Sequence, residues 1–225
     1  MMTKYELKRT LLDVFFPNRC PVCNKVIGRM DYICKECGEE FEYSYTAQKF
    51  CTGRLLCVCR YDEKSSRIVL GAKRNRDGSK LSFMAYTLMR CITQHYDTLP
   101  DVLVPVPMYS SDKRKRGYSH TEKICAELSE LTGIPVVKAV EKIRRTKEQK
   151  SLKRKDRLDN LKGSFALSDA KALSGKHILV VDDVSTTGAT LEEVFRTLLP
   201  SECDAVDFAV FARTVNKNDE NKENA

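Results

Sequence analysis

The chain has 225 residues, enough for one sizeable hydrophobic core and a small additional segment. Its composition, 42% hydrophobic and 31% charged, is that of a soluble globular protein, and no apolar run approaches the length of a membrane span. The net charge of +8 favours polyanionic partners or phosphorylated substrates. The first residues lack the apolar core of a signal peptide, so we expect a cytoplasmic protein whose ten cysteines bind metal or are buried.

The N-terminal region predicts a helix followed by a metal site. Apolar residues within 3–16 recur at helical spacing, and Pro17 ends that helix. Two Cys-X-X-Cys pairs follow, formed by Cys20, Cys23, Cys34 and Cys37. Two such pairs can surround one ion with four thiolates, so their spacing predicts a structural zinc site, and the alternative is four reduced cysteines without metal.

Six further cysteines do not form such pairs. Cys57 and Cys59 alternate within a stretch typical of a strand, and a second metal site with Cys51 would need a fourth ligand that is not evident. We therefore favour burial for these three over a second metal site. The remaining three lie singly on apolar faces and are predicted to be core residues: Cys91, Cys125 and Cys203.

The middle of the chain predicts helices, a strand and a basic loop. Helices are predicted over residues 65–73, 80–96 and 119–132, and a strand over 101–107. The strand leads into loop 108–117, which contains the four consecutive cations of residues 113–116. Because parallel α/β sheets bind ligands where their strands end, this loop is a candidate anion site, and the alternative is a solvated basic turn.

A strongly basic segment follows. Strands are predicted over 135–140 and 163–167, the second of them rejoining the sheet. Between them, residues 138–157 contain ten Lys or Arg against three acids. Segment 141–162 is too long and too charged for a connector in a compact domain, which predicts a functional lid or a disordered loop.

The most informative stretch is 177–193. Four consecutive apolar residues, 178–181, predict a strand that is buried on both faces, and Asp182 and Asp183 follow where this strand is expected to end. Small residues come next: Ser185, Thr186, Thr187, Gly188, Ala189 and Thr190. Thr190 with Glu193 predicts a capping box at the start of a helix.

This arrangement suits a particular kind of ligand. Backbone N–H groups, hydroxyls and a helix dipole can hold a phosphate without a lysine. The acidic pair would repel a phosphate, but it suits sugar hydroxyls or a divalent cation on the same ligand. A ligand with a 5′-phosphate, a ribose diol and Mg²⁺ meets both demands, and the alternative is a surface turn with an accidental acidic pair.

Over Ile178–Thr190 the chain resembles the phosphoribosyl-diphosphate (PRPP) motif of type I phosphoribosyltransferases. Taken with other stretches, it resembles the ComF family of competence-associated proteins. These stretches are the four paired cysteines, Lys73, Val104–Pro107, Arg116-Gly-Tyr, Arg145-Thr, Gln149, Leu152, Arg157, Asn160, Gly163-Ser-Phe, Val180–Thr190 and Ala212-Arg213. Family members usually have Arg-Gly-Phe-Asn-Gln where this chain has Arg116-Gly-Tyr-Ser-His120, and a second cysteine ribbon is reduced here to three scattered cysteines.

The resemblance implies a type I phosphoribosyltransferase-like α/β fold with a central, mainly parallel sheet, preceded by a small zinc-ribbon segment with four cysteine ligands. The implied boundaries are a helix and ribbon over 1–60, a phosphoribosyltransferase-like domain over 61–213 and a disordered polar tail over 214–225.

The resemblance also implies roles for individual residues. Asp182 and Asp183 would hold the ribose hydroxyls, Ser185–Thr190 the 5′-phosphate, and loop 108–117, with Arg116 and Gly117, the diphosphate. Segment 141–162 would close over the site and exclude water. Mg²⁺ and the cations of Arg145 or Arg157 would then stabilise the leaving diphosphate.

Two hypotheses about function follow. The first is an active phosphoribosyltransferase that uses Mg-PRPP and an unidentified nitrogen acceptor, in DNA uptake or nucleotide metabolism. The second is a non-catalytic protein that senses PRPP or binds single-stranded DNA together with DNA-uptake proteins, because non-catalytic descendants of an enzyme fold are common. The basic segment fits both hypotheses, although it lacks aromatic residues that could stack on bases.

Overall fold

The computed structural model of the protein describes residues 17–74, 78–146 and 160–214. The strands are β1 (Thr46–Phe50), β2 (Gly53–Arg60), β3 (Val102–Pro105), β4 (Val140–Lys142), β5 (Phe165–Leu167), β6 (His177–Ser185) and β7 (Ala205–Arg213). The helices are α1 (Lys35–Glu39), α2 (Glu63–Arg74), α3 (Ser79–His95), α4 (Ser110–Arg116), α5 (His120–Thr132) and α6 (Ala189–Leu198), with a 3-10 turn over Leu199–Ser201. The predicted N-terminal helix, Arg157 with most of the predicted lid, and all but one residue of the predicted tail lie outside the described residues.

A five-stranded sheet with the order β1-β2-β7-β6-β3 forms the centre of the fold. Only β1 and β2 pair antiparallel, and the other three pairings are parallel, which confirms the predicted mainly parallel sheet. β6 lies between β7 and β3, so helices cover both of its faces and residues 178–181 are fully buried.

Side chains alternate along β6 between two hydrophobic clusters. Leu179 and Val181 pack in the cluster that contains α2, α3 and α5. Ile178 and Val180 pack in the cluster that contains α6 and the short strands β4 and β5. Because successive side chains of a strand point to opposite faces, Asp183 continues the row of Leu179 and Val181 towards α2 and α5.

The predicted helices are confirmed by α2, α3 and α5, whose ends differ from the predictions by two residues at most. At the start of α5, the Ser119 hydroxyl accepts a hydrogen bond from the Glu122 N–H at 3.4 Å. Loop 108–117 is not an open loop, because it contains α4. Four cations lie in the last turn of α4, where their positive charges interact favourably with the negative end of the helix dipole. Gly117 ends the helix with φ +82°.

The prediction that residues 163–167 rejoin the central sheet is wrong. β5 pairs antiparallel with β4 in a separate two-stranded sheet. The predicted strand over 135–140 is also largely absent, since Val136 makes a single bridge to Leu103 at the edge of β3. Phe165 and Val140 pack in the cluster that contains α6 and one face of the central sheet, so the small sheet is buried by side-chain packing and not by strand pairing with the main one.

The cysteine-rich segment lies against α3. Tyr32 stacks on Tyr86 of α3 with the ring centroids 4.1 Å apart. β1 and β2 precede the predicted domain boundary at residue 60, yet they extend the central sheet beyond β7. The boundary itself stays a prediction. None of the helices in the described ranges is both long and apolar enough to cross a membrane.

Candidate functional site

The candidate site lies around the C-terminal part of β6. The prediction that the strand ends before the acidic pair is wrong, because β6 continues through both acids to Ser185. Asp182 and Asp183 are 8% and 5% exposed, so both carboxyl groups are buried inside the protein. A buried carboxylate needs partners, and the structure supplies them from elements distant in sequence.

Two groups from neighbouring helices contact Asp183. Its Oδ2 lies 2.5 Å from Nζ of Lys73 in α2 and 3.5 Å from Nε2 of His120 in α5. Burial opposes ionisation of Asp183, but Lys73 and then His120 outweigh it and hold the pKa of this carboxyl below its ordinary value. Asp183 is therefore the charged member of the acidic pair.

Asp182 has the opposite electrostatic character. Burial, and then the charge of Asp183, raise its pKa well above the ordinary value. Its Oδ1 accepts a hydrogen bond from the N–H of Asp183 at 2.8 Å. The adjacent acids thus provide one ionised carboxylate and one carboxyl group that is more readily protonated.

The small-residue loop after β6 lines a cavity of about 410 Å³. Its lining consists of residues 183–191 together with Tyr61 and three residues of α2, Val69, Leu70 and Lys73. The hydroxyl of Ser185 is buried and has no hydrogen-bond partner among the described residues. A residue that lines the cavity therefore carries a polar group that the described residues leave unsatisfied.

Helix α6 begins at this loop in a different way from the prediction. Gly188, not Thr190, is the N-cap, with φ +80°, and no side chain caps the helix. A Cβ atom at Gly188 would also lie 2.8 Å from the Phe50 ring, so this position requires glycine. The predicted capping box is wrong because Glu193 accepts a hydrogen bond from the N–H of Gly163 at 2.5 Å instead.

The turn between α4 and α5 brings a cation to the same site. Nη1 of Arg116 lies 3.1 Å from Nδ1 of His120. The Tyr118 hydroxyl donates a hydrogen bond to the Ala72 carbonyl oxygen at 2.5 Å, which fixes the turn against α2 beside Lys73. The structure thus brings Arg116 and Gly117 towards the acidic pair.

The β4–β5 pair contributes further cations. Nζ of Lys142 donates a hydrogen bond to the Thr146 hydroxyl at 3.1 Å, and burial lowers the pKa of this lysine. The predicted site residue Arg145 forms an exposed ion pair with Asp112 at 3.4 Å. Sequence reasoning did not single out Lys142, and it gave no role to Lys73 or His120. Lys73 and His120 contact Asp183, which is distant from both in the chain, so no local pattern indicates their role. The only signal for His120 in the sequence was that it replaces the residue that family members usually have at this position.

The four paired cysteines form one cluster, in which all four sulfur atoms lie within 4.8 Å of one another. The sulfur atoms of Cys23 and Cys34 are 3.7 Å apart, close to the roughly 3.8 Å that Zn–S bonds of about 2.3 Å produce in a tetrahedron. Among the described residues, the cysteine cluster contains these four only, and Cys51, Cys57 and Cys59 are outside it.

The other cysteine predictions hold in most cases. Cys57, Cys59, Cys91 and Cys125 are buried as expected. Cys51, in the turn between β1 and β2, and Cys203 are only half-buried.

Family models match both the cysteine-rich segment and the larger α/β part of the chain. A family model for the phosphoribosyl transferase domain matches residues 84–225, and one for the double zinc ribbon domain matches residues 11–54. The chain belongs to the phosphoribosyl transferase domain family. The zinc-ribbon match and the four-cysteine cluster together support structural zinc.

Two individual relatives are similar to this chain over most of its length. Competence protein F of Haemophilus influenzae is 29% identical over 191 residues, which cover 80% of this chain and 83% of that protein. DNA utilization protein YhgH of Escherichia coli is 28% identical over 207 residues, covering 87% of this chain and 90% of that protein. The predicted membership of the ComF family is confirmed.

Solved structures give a weaker likeness. A glutamine PRPP amidotransferase from B. subtilis, complexed with ADP and GMP, aligns with a TM-score of 0.40 and 18% identity. The alignment covers 60% of this chain and 28% of that enzyme, so the chain spans less than a third of its length.

Proposed function

We propose that this protein binds PRPP together with Mg²⁺ in the cavity between α2 and residues 185–190. The observation that carries the proposal is the buried Ser185 hydroxyl without a partner in the described chain. A buried hydroxyl without a partner costs about 1–3 kcal/mol, which a phosphate oxygen in the cavity would recover. The N–H groups in the first turn of α6 have no carbonyl partner within the helix, and such groups can hold the same phosphate.

The acidic pair suits the ribose of the same ligand. Asp183 is ionised and can only accept hydrogen bonds, whereas a protonated Asp182 can also donate one. Two neighbouring hydroxyls each donate and accept, so this mixed pair fits a diol better than two carboxylates would.

Arg116 and Gly117 at the end of α4 would hold the diphosphate, as the resemblance predicts. Arg145 and Arg157 remain predicted contributors from the segment that follows β4. Bound Mg²⁺ would neutralise charge on the diphosphate that leaves.

We further propose phosphoribosyl transfer to a nitrogen acceptor. The bond between C1 of the ribose and the diphosphate oxygen breaks, and diphosphate leaves with the electron pair. The acceptor nitrogen forms the new bond to C1 with its lone pair and releases a proton to water. The names of the two relatives, a competence protein and a DNA utilization protein, suggest that the reaction or the PRPP binding serves DNA utilization.

Calorimetric titration with PRPP tests the binding proposal. We expect binding in the presence of Mg²⁺, none in the presence of EDTA, and none for the double variant Asp182→Asn/Asp183→Asn. The exposed Asp204→Asn, at the opposite end of the sheet, is the matched control and should bind as the wild type does. Equal binding by the wild type and the folded double variant would contradict the assignment of the site.

A second candidate function is binding of single-stranded DNA. Arg114 and Lys115 on α4 are exposed, and Lys138 adds a third exposed cation close to α5. The same titration with a short oligonucleotide tests this function. DNA binding that falls steeply with salt, without any heat from PRPP, would favour it over the first proposal.

A further inference from the structure

We propose that His120 is a positioning residue that holds Arg116 and Asp183 in their binding geometry by accepting a hydrogen bond at Nδ1 and donating one at Nε2. The inference deepens the proposed PRPP site and rests on that proposal. It explains how a histidine can serve at a position where its ring contacts both a cation and an anion.

The ring of His120 lies between these two groups. The His120 side chain is 11% exposed, with Nδ1 3.1 Å from Nη1 of Arg116 and Nε2 3.5 Å from Oδ2 of Asp183. Lys73 contacts the same Oδ2 at 2.5 Å. Arg116, His120, Asp183 and Lys73 thus form a continuous polar chain from α4 to α2.

The partner at Nδ1 determines where the ring proton lies. A guanidinium group has only donors, so Nδ1 must present its lone pair to Arg116. In the neutral ring the single proton is then on Nε2, which faces the ionised Asp183. An imidazolium would direct a second N–H at the guanidinium and break the contact with Arg116.

A neutral histidine with this proton arrangement has one acceptor and one donor at its two ends. A glutamine side chain offers the same pair through its carbonyl oxygen and its amide nitrogen. Replacement of His120 by Gln can therefore keep both contacts, whereas replacement by Ala removes both. A comparison of the Gln and Ala variants therefore distinguishes a role in positioning Arg116 and Asp183 from a role in packing alone.

Other contacts hold the local backbone without the histidine. Tyr118 is anchored to Ala72, and the Thr121 hydroxyl donates a hydrogen bond to the Val106 carbonyl oxygen at 2.8 Å. Ser119 caps α5. Both variants should therefore keep the turn between α4 and α5, so a change in binding would report on the side chain.

Without His120, the two ligand-binding groups lose their common neighbour. Arg116 would lose its hydrogen-bond acceptor and sample more rotamers, and ordering an arginine on binding costs conformational entropy. Asp183 would keep Lys73 alone. Binding of the diphosphate and of the ribose should therefore weaken together, although His120 itself need not contact the ligand.

Titration of the wild type and of two variants with Mg-PRPP tests the inference. We expect His120→Ala to raise the Kd about tenfold, as for the loss of one or two modest hydrogen bonds, and His120→Gln to stay within about twofold of the wild type. Melting curves of the apo proteins check that both variants fold. Equal weakening by His120→Gln and His120→Ala, or no weakening by either, would overturn the positioning role.

A second measurement tests the bridge without any ligand. The chain has only three histidines, so ring ¹⁵N spectra are simple, and the signal lost in His120→Gln identifies His120. We expect the ring proton on Nε2 with Nδ1 as the acceptor, and a changed Nδ1 shift in Arg116→Met. A proton on Nδ1 would overturn the inference even if PRPP binds. A wild type that binds no PRPP would overturn the proposed function and the ligand-positioning role, while the spectra would still decide whether the bridge exists.

Discussion

Replacement of Asp183 by Asn removes the carboxylate that pairs with Lys73, and we expect the neighbouring Asp182 to compensate in part. Removing one partner of a buried ion pair costs about 3–5 kcal/mol. The Lys73 side chain is 30% exposed, which favours the lower end, about 3 kcal/mol. However, burial and then the Asp183 charge raise the pKa of Asp182 well above its ordinary value, so removal of that charge lowers the pKa and favours ionisation of Asp182.

This coupling leads to non-additive free energies of unfolding. Asp183→Asn should cost about 1–2 kcal/mol, because an ionised Asp182 partly replaces the lost charge. Asp182→Asn should cost about 0.5 kcal/mol or less, because Asn keeps the oxygen that accepts from the Asp183 N–H. The double variant leaves Lys73 without a carboxylate and should cost about 3 kcal/mol, roughly 1 kcal/mol more than the sum.

Urea unfolding of the apo protein at pH 7.5 measures these costs. The chain has no tryptophan, so far-UV circular dichroism is the natural probe. Midpoints compared at a common slope avoid most of the extrapolation error. Adding Lys73→Met to the double variant serves as the control, because it removes the unpaired charge and should restore much of the lost stability.

Additive costs would refute this reasoning. If the two single substitutions sum to the double one within about 0.5 kcal/mol, Asp182 does not respond to the Asp183 charge. If Lys73→Met lowers the stability of the double variant further, the lysine is stabilised by something other than the acidic pair.

Three further predictions concern separate parts of the molecule. Ser185→Ala should leave the free energy of unfolding of the apo protein unchanged or raise it by up to about 1 kcal/mol, while it weakens Mg-PRPP binding several-fold. Melting curves and titrations measure the two effects, and lower stability with normal binding would contradict the prediction. The wild type should contain one zinc ion per chain by elemental analysis, and Cys34→Ser should lose it; metal-free, fully folded wild type would be the opposite result. Burial opposes ionisation of Asp207, but His177 and Tyr96 lower its pKa to about 2. Its stabilising effect is therefore complete above about pH 4 and is lost towards pH 2, so Asp207→Asn should destabilise the protein at pH 7 and flatten the acid limb of the urea midpoint between about pH 2 and 5.

Much of the fold follows from short-range patterns. Four consecutive apolar residues before Asp182 predict β6, because such a short run is typical of a strand covered on both faces. The periodicity of α3 and α5 places both helices within one residue of their observed ends. These features depend on neighbours in the chain, which a sequence displays directly.

The failures have a common physical origin in long-range contacts. β6 extends through the acidic pair because Lys73 and His120 make burial of Asp183 acceptable, and both lie more than 60 residues away. Glu193 leaves the predicted capping box because its carboxylate accepts a hydrogen bond from Gly163, 30 residues earlier. No local pattern reports such partners.

The contrast between two buried acids on adjacent strands distinguishes the proposed binding end of the sheet from the other end. Asp207, near the start of β7, accepts hydrogen bonds from the Tyr96 hydroxyl at 2.6 Å and from the Arg54 N–H at 2.6 Å, and lies 3.1 Å from Nε2 of His177. Its partners all belong to the protein, and its pKa is low as a result. Such a carboxylate has no remaining need for a ligand.

The opposite end of the sheet has the reverse properties. Asp182 is held towards its protonated form, the Ser185 hydroxyl lacks a partner in the described chain, and Gly188 takes a left-handed conformation against the Phe50 ring. The raised pKa of Asp182 and the Ser185 hydroxyl without a partner among the described residues cost stability, whereas Gly188 takes its left-handed conformation without strain. They occur within seven residues, of which Ser185 and Gly188 line one cavity, and a phosphorylated sugar would satisfy the hydroxyl and the carboxyl group together. Their coincidence is the strongest physical reason to expect a ligand there.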